Sequence, residues 1–259
     1  MTSIHDTAAG DAELIELGRQ FDLIAPKLSE ARYRAVTCDL RGHGESSVPW
    51  KTYDVPSVGN DILALIEHLN AGPAHVIATS FSAGAAVWAA VERPDRIRSL
   101  VLIGAFVRDA RTNPIIIALL WLMLNNPWRV RTWGMYYGTL YPTLKPADFQ
   151  DYMKQLMDNM AQPGRFDAAV ALANSSRQPS AERLEQVKAP TLVIMGTRDP
   201  DFPNPVAEGK YIAGKTGGTL ALVEAAGHYP QTEMPEKTTP IVIDFLTRSV
   251  SARTHELSS

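Results

Sequence analysis

The sequence predicts an α/β chain built on a mostly parallel, doubly wound sheet, interrupted by an inserted block of helices. Three observations lead there. Short apolar runs alternate with helical segments along most of the 259 residues, the signature of right-handed βαβ units. The alternation stops between Val107 and Lys188, where a purely helical pattern takes over. One strand-like run turns directly into a small-residue helix at a serine, as strained strand-to-helix turns do.

The strand-like runs are Ala12 to Leu17, Arg34 to Asp39, Ala74 to Ser80, Ser99 to Phe106, Thr191 to Met195 and Thr219 to Val223. Between them Phe21 to Glu30, Val55 to Leu69, Ala83 to Glu92, Pro205 to Gly214 and Pro235 to Leu246 read as helices, with Pro240 bending the last or marking its true start. The interrupting segment is punctuated by Asn113-Pro114, Asn126-Pro127, Lys145-Pro146 and Gln162-Pro163-Gly164, each a helix boundary by composition. The expected organisation is one core, 1–106 and 188–250, a helical cap, 107–187, and a loose tail, 251–259.

The candidate nucleophile is Ser82, in Ser80-Phe81-Ser82-Ala83-Gly84. A turn of this kind exposes the serine oxygen and aims the next backbone N–H at the same spot, and its usual pattern is G-x-S-x-G. Ser80 takes the place of the first glycine here. It is also a rival nucleophile, ranked lower because the residue two places after it is Ser82, whereas Ser82 is followed there by Gly84. Downstream, Asp199 lies just past the run ending at Met195, and His228 just past the run ending at Val223. Nucleophile, acid and base in the order Ser, Asp, His are the components of acyl transfer, in the chain order of one particular fold. Asp201, and more distantly Asp109, compete for the acid's role.

Through these segments the chain resembles the α/β-hydrolase superfamily from about Ala12 to Leu246. Asp39-Leu40-Arg41-Gly42-His43-Gly44-Glu45-Ser46 matches the family's D-x-R-G-x-G-x-S loop, in which His43 reads as structural. Arg93-Pro94-Asp95-Arg96-Ile97 and Val187 to Gly196 are similar to the family's links after the nucleophile helix and after the cap. The resemblance implies a serine esterase acting through an acyl-enzyme, with a lactonase or carbon–carbon bond hydrolase as variants of the same triad. A hydrolase-like, slow-turnover ligand-binding regulator is the alternative from another class. One departure stands out. The family's His-Gly and longer loop after the first parallel strand are replaced by Leu17-Gly18-Arg19-Gln20-Phe21, so the oxyanion donors expected are the N–H of Ala83 with Arg19 or Gln20. The N-terminal antiparallel strands are expected to be abbreviated or absent, and a homodimer would cover a sheet edge left open there.

The cap segment concentrates tryptophan, tyrosine and methionine, which favours an apolar ester or lactone, with Phe81, Trp121, Trp133, Tyr137 and Tyr229 as expected substrate contacts. Arg108 and Arg111 read as solvent-facing. Apolar residues make up 45% of the chain, enough for a full core, and a net charge of −3 gives no electrostatic reason for a nucleic-acid partner. No cofactor and no metal are expected, since no His/Cys/Asp cluster has ligand spacing. Cys38, the one cysteine, lies in a strand-like run and reads as buried and inert. No apolar run is long enough to span a membrane and the N-terminus lacks a signal-peptide core, which reads as a cytoplasmic chain.

Overall fold

The computed structural model describes residues 4–6, 12–17, 19–109, 121–122, 124–125 and 127–256. Its strands are β1 (Ile4–Asp6), β2 (Ala12–Leu17), β3 (Tyr33–Cys38), β4 (Ala74–Thr79), β5 (Ile97–Ile103), β6 (Thr191–Gly196) and β7 (Thr219–Val223). They form one sheet in the order β1-β3-β2-β4-β5-β6-β7. Every neighbouring pair is parallel except β1 with β3, where Ile4 faces Cys38. An antiparallel N-terminal strand therefore exists, abbreviated to three residues.

The core helices are α1 (Ala25–Glu30), α2 (Val55–Leu69), α3 (Phe81–Glu92), α8 (Pro205–Thr216), α9 (Pro230–Glu233) and α10 (Pro235–Glu256). Two of them have side-chain caps. Asp54 accepts the Ser57 N–H at the start of α2, and Asn204 the Ala207 N–H at the start of α8, each satisfying an otherwise orphaned donor. The helix expected over Phe21 to Glu30 is instead a 3₁₀ turn, Arg19–Phe21, followed by α1 with Pro26 in its first turn, where proline's missing N–H does no harm. Pro240 lies inside α10, and that helix runs on to Glu256, through much of the expected tail.

Alternation along the strands builds two cores. Val76 and Ala78 of β4, Leu100 and Leu102 of β5, and Val193 and Met195 of β6 pack with α2, α3 and α8. The interleaved Ile77, Val101, Ile103, Leu192 and Ile194 pack with α1 and α10. Successive side chains of a strand point to opposite faces, so continuously apolar strands require helices on both. Cys38 is buried in the first core, where loss of solvation pushes its thiol up to about 12.

Between β5 and β6 the described chain is helical: α4 (Arg129–Thr139), α5 (Phe149–Met160), α6 (Arg165–Asn174) and the short α7 (Gln178–Ala181). Tyr137, Leu140, Tyr141, Phe149 and Met153 form its apolar centre and pack on Tyr229 of the core. Among the described residues, no helix is long and apolar enough to cross a membrane.

Candidate active site

The C-terminal ends of β4, β5, β6 and β7 lie in sequence along one edge of the sheet, beneath the inserted helices. In parallel sheets this is the edge where loops can converge on one ligand. A cavity of about 1070 Å³ opens there, lined by Ser80, Asp201 and His228 from the core and by aromatic residues of the insertion.

The strand-to-helix turn is at Ser80, two residues earlier than the sequence reading placed it. Thr79 is the last residue of β4 and Phe81 the first of α3, and Ser80 between them has φ 55° and ψ −126°. L-residues with side chains rarely occupy this region, and strain of this kind collects at functional turns. Backbone bonds over-determine it: the Ser80 N–H donates to Ile103 O at 2.9 Å, and Ser80 O accepts from Phe106 N at 3.1 Å and Ala83 N at 3.2 Å.

Ser82, the residue expected to be nucleophilic, lies within α3 and is 1% exposed. Its Oγ donates to Thr79 O at 2.8 Å and accepts the Thr79 N–H at 3.1 Å. That hydroxyl closes the turn from inside. Gly84 has a packing reason of its own: a Cβ there would lie 2.8 Å from Phe106 O and 2.9 Å from Ser180 Oγ, so the glycine admits close packing of α3 against the insertion. The oxyanion expectation moves with the turn. The Ala83 N–H already donates to Ser80 O, and the N–H following Ser80 belongs to Phe81, at the helix start where intrahelical acceptors are lacking.

Asp199 is held past β6 and His228 past β7. His228 Nδ1 lies 2.8 Å from Asp199 Oδ2 and 3.6 Å from Asp201 Oδ2. Asp199 Oδ1 accepts the Asp201 N–H at 3.0 Å, which fixes the carboxylate's orientation. The imidazole is enclosed by Phe106, Phe202 and Tyr229. Its Nε2 is buried and has no hydrogen-bond partner among the described residues. The ring rests against Gly104, φ 52°, where a Cβ would come within 3.2 Å of it. Gly104 directly follows Ile103, the residue whose carbonyl holds the Ser80 N–H, so imidazole and strained serine abut adjacent points on the sheet edge.

Burial works against the charged imidazole, but the Asp199 hydrogen bond and charge, with the charge of Asp201, outweigh it and hold the His228 pKa above its ordinary 6.5. Burial is also the main influence on Asp201 and, with the charge of Asp199, raises its carboxyl despite His228 and a hydrogen bond from the Tyr136 hydroxyl. Ligand atoms of Asp199, Asp201 and His228 fall within 4.8 Å of one another, a clustering the sequence spacing did not disclose. With Nδ1 hydrogen-bonded to Asp199, it is an acid–base arrangement.

Of the remaining expected residues, Phe81, Trp133, Tyr137 and Tyr229 line the cavity, and Trp121 lines it while 64% exposed, at its mouth. Gln20 lines it as well, its amide donating to the hydroxyls of Tyr137 and of Tyr152, the latter at 3.1 Å. The Arg19 side chain lies outside the described residues. Asp109 is not with His228: it accepts from Ser176 Oγ at 2.7 Å and Arg177 N at 2.8 Å. His43 lines the cavity near the Asp39 turn with Nδ1 3.2 Å from Arg41 O, and burial lowers its pKa. Arg108 pairs with Glu208 at 2.5 Å and lies over Tyr211, while Arg111 falls outside the described residues.

Sequence reasoning missed Glu233, the latch between insertion and core. Only 4% exposed, it accepts the N–H groups of Thr143 at 2.8 Å and Leu144 at 2.9 Å, and on its other oxygen that of Gly227 at 2.6 Å. The loop carrying His228 is fixed to the insertion again by His228 N donating to Leu140 O at 3.0 Å. Glu233→Ala strands three donors, a loss of about 3 kcal/mol. For a chain of this length that lowers Tm by roughly 6–12 °C, as differential scanning calorimetry would read.

Fold and site together define an α/β enzyme scaffold with a strained serine, a buried His–Asp pair and a covering of helices. A sequence profile described as the alpha/beta hydrolase fold matches residues 14–235, and the chain belongs to that family. It is 24% identical over 220 residues to a 3-oxoadipate enol-lactonase of Acinetobacter baylyi, covering 79% of this chain and 75% of that one. It is 26% identical to a 2-hydroxy-6-oxononadienedioate/2-hydroxy-6-oxononatrienedioate hydrolase of Burkholderia vietnamiensis, covering 95% and 86%. A bromoperoxidase structure from Bacillus anthracis superposes with TM-score 0.82 at 20% identity, covering 95% of each chain.

Proposed function

We propose that the protein is a serine hydrolase that cleaves carboxylic esters or lactones of apolar small molecules through an acyl-enzyme on Ser80. One observation carries the reading: the strained backbone at Ser80 lies in the wall of the same cavity as the buried His228–Asp199 pair. His228 Nε2, unpartnered and buried, takes the Ser80 proton as Oγ attacks the acyl carbonyl. Asp199 keeps the tautomer with Nδ1 protonated and stabilises the imidazolium. The same imidazolium protonates the leaving alcohol, and a water activated by Nε2 then releases the acid. The Phe81 N–H, at the start of α3, is the first oxyanion donor, and the turn at Arg19–Phe21, which follows β2, is the place from which a second would come.

The aromatic wall favours an apolar acyl or alkyl portion. A lactone undergoes the same steps with its alcohol kept in the product, and the enol-lactonase relative supports that variant. A slow-turnover, ligand-binding role draws on one observation: the Gln20 amide is engaged by Tyr137 and Tyr152, and losing one oxyanion donor costs about 10²–10³ in kcat.

Stopped-flow hydrolysis of p-nitrophenyl esters across acyl lengths tests the reading. A burst followed by sustained turnover is the expected result. A one-equivalent burst without turnover favours the slow role, and the absence of both refutes the acyl-enzyme. The pH profile makes a further prediction. The working base is neutral imidazole, so kcat/KM rises with pH through the His228 pKa, with its acid limb inflecting above 6.5. Asp201→Asn removes one of the charges holding that value up and moves the inflection to lower pH.

A further inference from the structure

We propose that Arg177 forms a carboxylate-binding subsite at the Phe81 side of the cavity, so that the preferred substrate is an ester or lactone carrying a free carboxylate. The inference rests on the hydrolase reading above and names its substrate class.

Arg177 lies in the link between α6 and α7 and is the one arginine or lysine among the described residues that line the cavity. Its guanidinium lies 5.5 Å from the ring centre of Phe81, the residue directly after Ser80. Nη1 is anchored by Ala173 O at 2.7 Å and Ser175 O at 2.6 Å, and the main chain is pinned by Asp109, which accepts the Arg177 N–H at 2.8 Å. No hydrogen bond from Nε or Nη2 occurs among the described residues, and no carboxylate lies within ion-pairing distance of the group. The undescribed stretch 110–120 contains no aspartate or glutamate.

Asp109 is the nearby charge, but it makes no ion pair with the guanidinium and bonds only the Arg177 main chain, and a half-buried cation without a paired carboxylate is unfavourable unless something supplies one. Burial lowers the guanidinium's pKa against the nearby charge of Asp109, in keeping with an under-compensated cation. The rest of the cavity is of opposite sign: Asp22, Asp39, Glu45, Asp158 and Asp201 line it elsewhere. An anionic substrate is therefore repelled from those walls and oriented toward Arg177, whose remaining donors match a carboxylate. With the guanidinium beside Phe81, the acyl carbon then falls near Ser80.

The test compares p-nitrophenyl hydrogen glutarate with p-nitrophenyl pentanoate, acyl groups of equal length differing in the terminal carboxylate. The expected result is a wild-type preference for the hemiester, with Arg177→Met lowering the ratio of the two kcat/KM values roughly 10- to 100-fold, the worth of one charge-assisted pair. Arg177→Lys keeps the charge without the fork and retains part of the ratio. Equal losses on both esters would assign Arg177 a structural role and overturn the proposal, as would an unchanged ratio. Calorimetric binding of monomethyl glutarate and methyl pentanoate to Ser80→Ala separates the two readings. Tighter hemiester binding that Arg177→Met abolishes supports the subsite even without turnover, and equal binding of the two overturns it. Failure of the hydrolase reading shows instead as ester turnover that Ser80→Ala leaves intact.

Discussion

Ser80→Ala is expected to lower kcat for p-nitrophenyl ester hydrolysis by about 10⁴- to 10⁶-fold, the scale on which removal of a serine nucleophile acts. Ser82→Ala is expected to lower it by no more than about tenfold. The contrast follows from the two hydroxyls' surroundings. Both serines line the cavity, but only Ser80 occupies the strained position between β4 and α3. The Ser82 hydroxyl is engaged twice with Thr79, and its loss removes two neutral hydrogen bonds worth about 1 kcal/mol each. That loosens the turn without deleting the attacking atom. Steady-state kinetics of the two variants under one set of conditions decide between them; a larger loss at Ser82 would reinstate the sequence-based choice.

The second large effect is expected at Asp199. Asp199→Asn should lower kcat by about 10⁴-fold, because an amide facing Nδ1 favours the wrong tautomer, whereas Asp201→Asn should lower it by no more than about tenfold. Distance separates the two acids: Nδ1 is 2.8 Å from Asp199 Oδ2 but 3.6 Å from Asp201 Oδ2, and Asp201 is already bonded by Tyr136. If Asp201 were the orienting acid, the magnitudes would be reversed.

Most of the sheet and its helices are legible in the sequence because the strands after β1 are short, predominantly apolar runs set between helical segments that carry their own boundaries. Val55–Leu69 and Thr219–Val223 fall where the pattern puts them. Three-residue β1 was not legible, since its pairing with β3 is a long-range backbone event that Ile-His-Asp does not advertise. The placing of Asp199 just past one strand and His228 just past the next was legible, and the structure pairs the two at 2.8 Å. Which serine occupies the strained turn was not legible, because two small-residue frames overlap. Ala78-Thr79-Ser80-Phe81-Ser82 and Ser80-Phe81-Ser82-Ala83-Gly84 both satisfy the steric need for small flanks, and the glycine that favoured the second is required by Phe106 and Ser180. Glu233 and Arg177 stayed hidden for another reason: their roles depend on which chain segments meet across the cavity, and nothing local to either residue encodes that.

The most direct measurement is covalent labelling with a fluorophosphonate, followed by proteolysis and mass spectrometry of the peptide spanning β4 and α3. One equivalent of label on Ser80 is expected, lost in Ser80→Ala and kept in Ser82→Ala. Label on Ser82, or none on either serine of a folded protein, would contradict it.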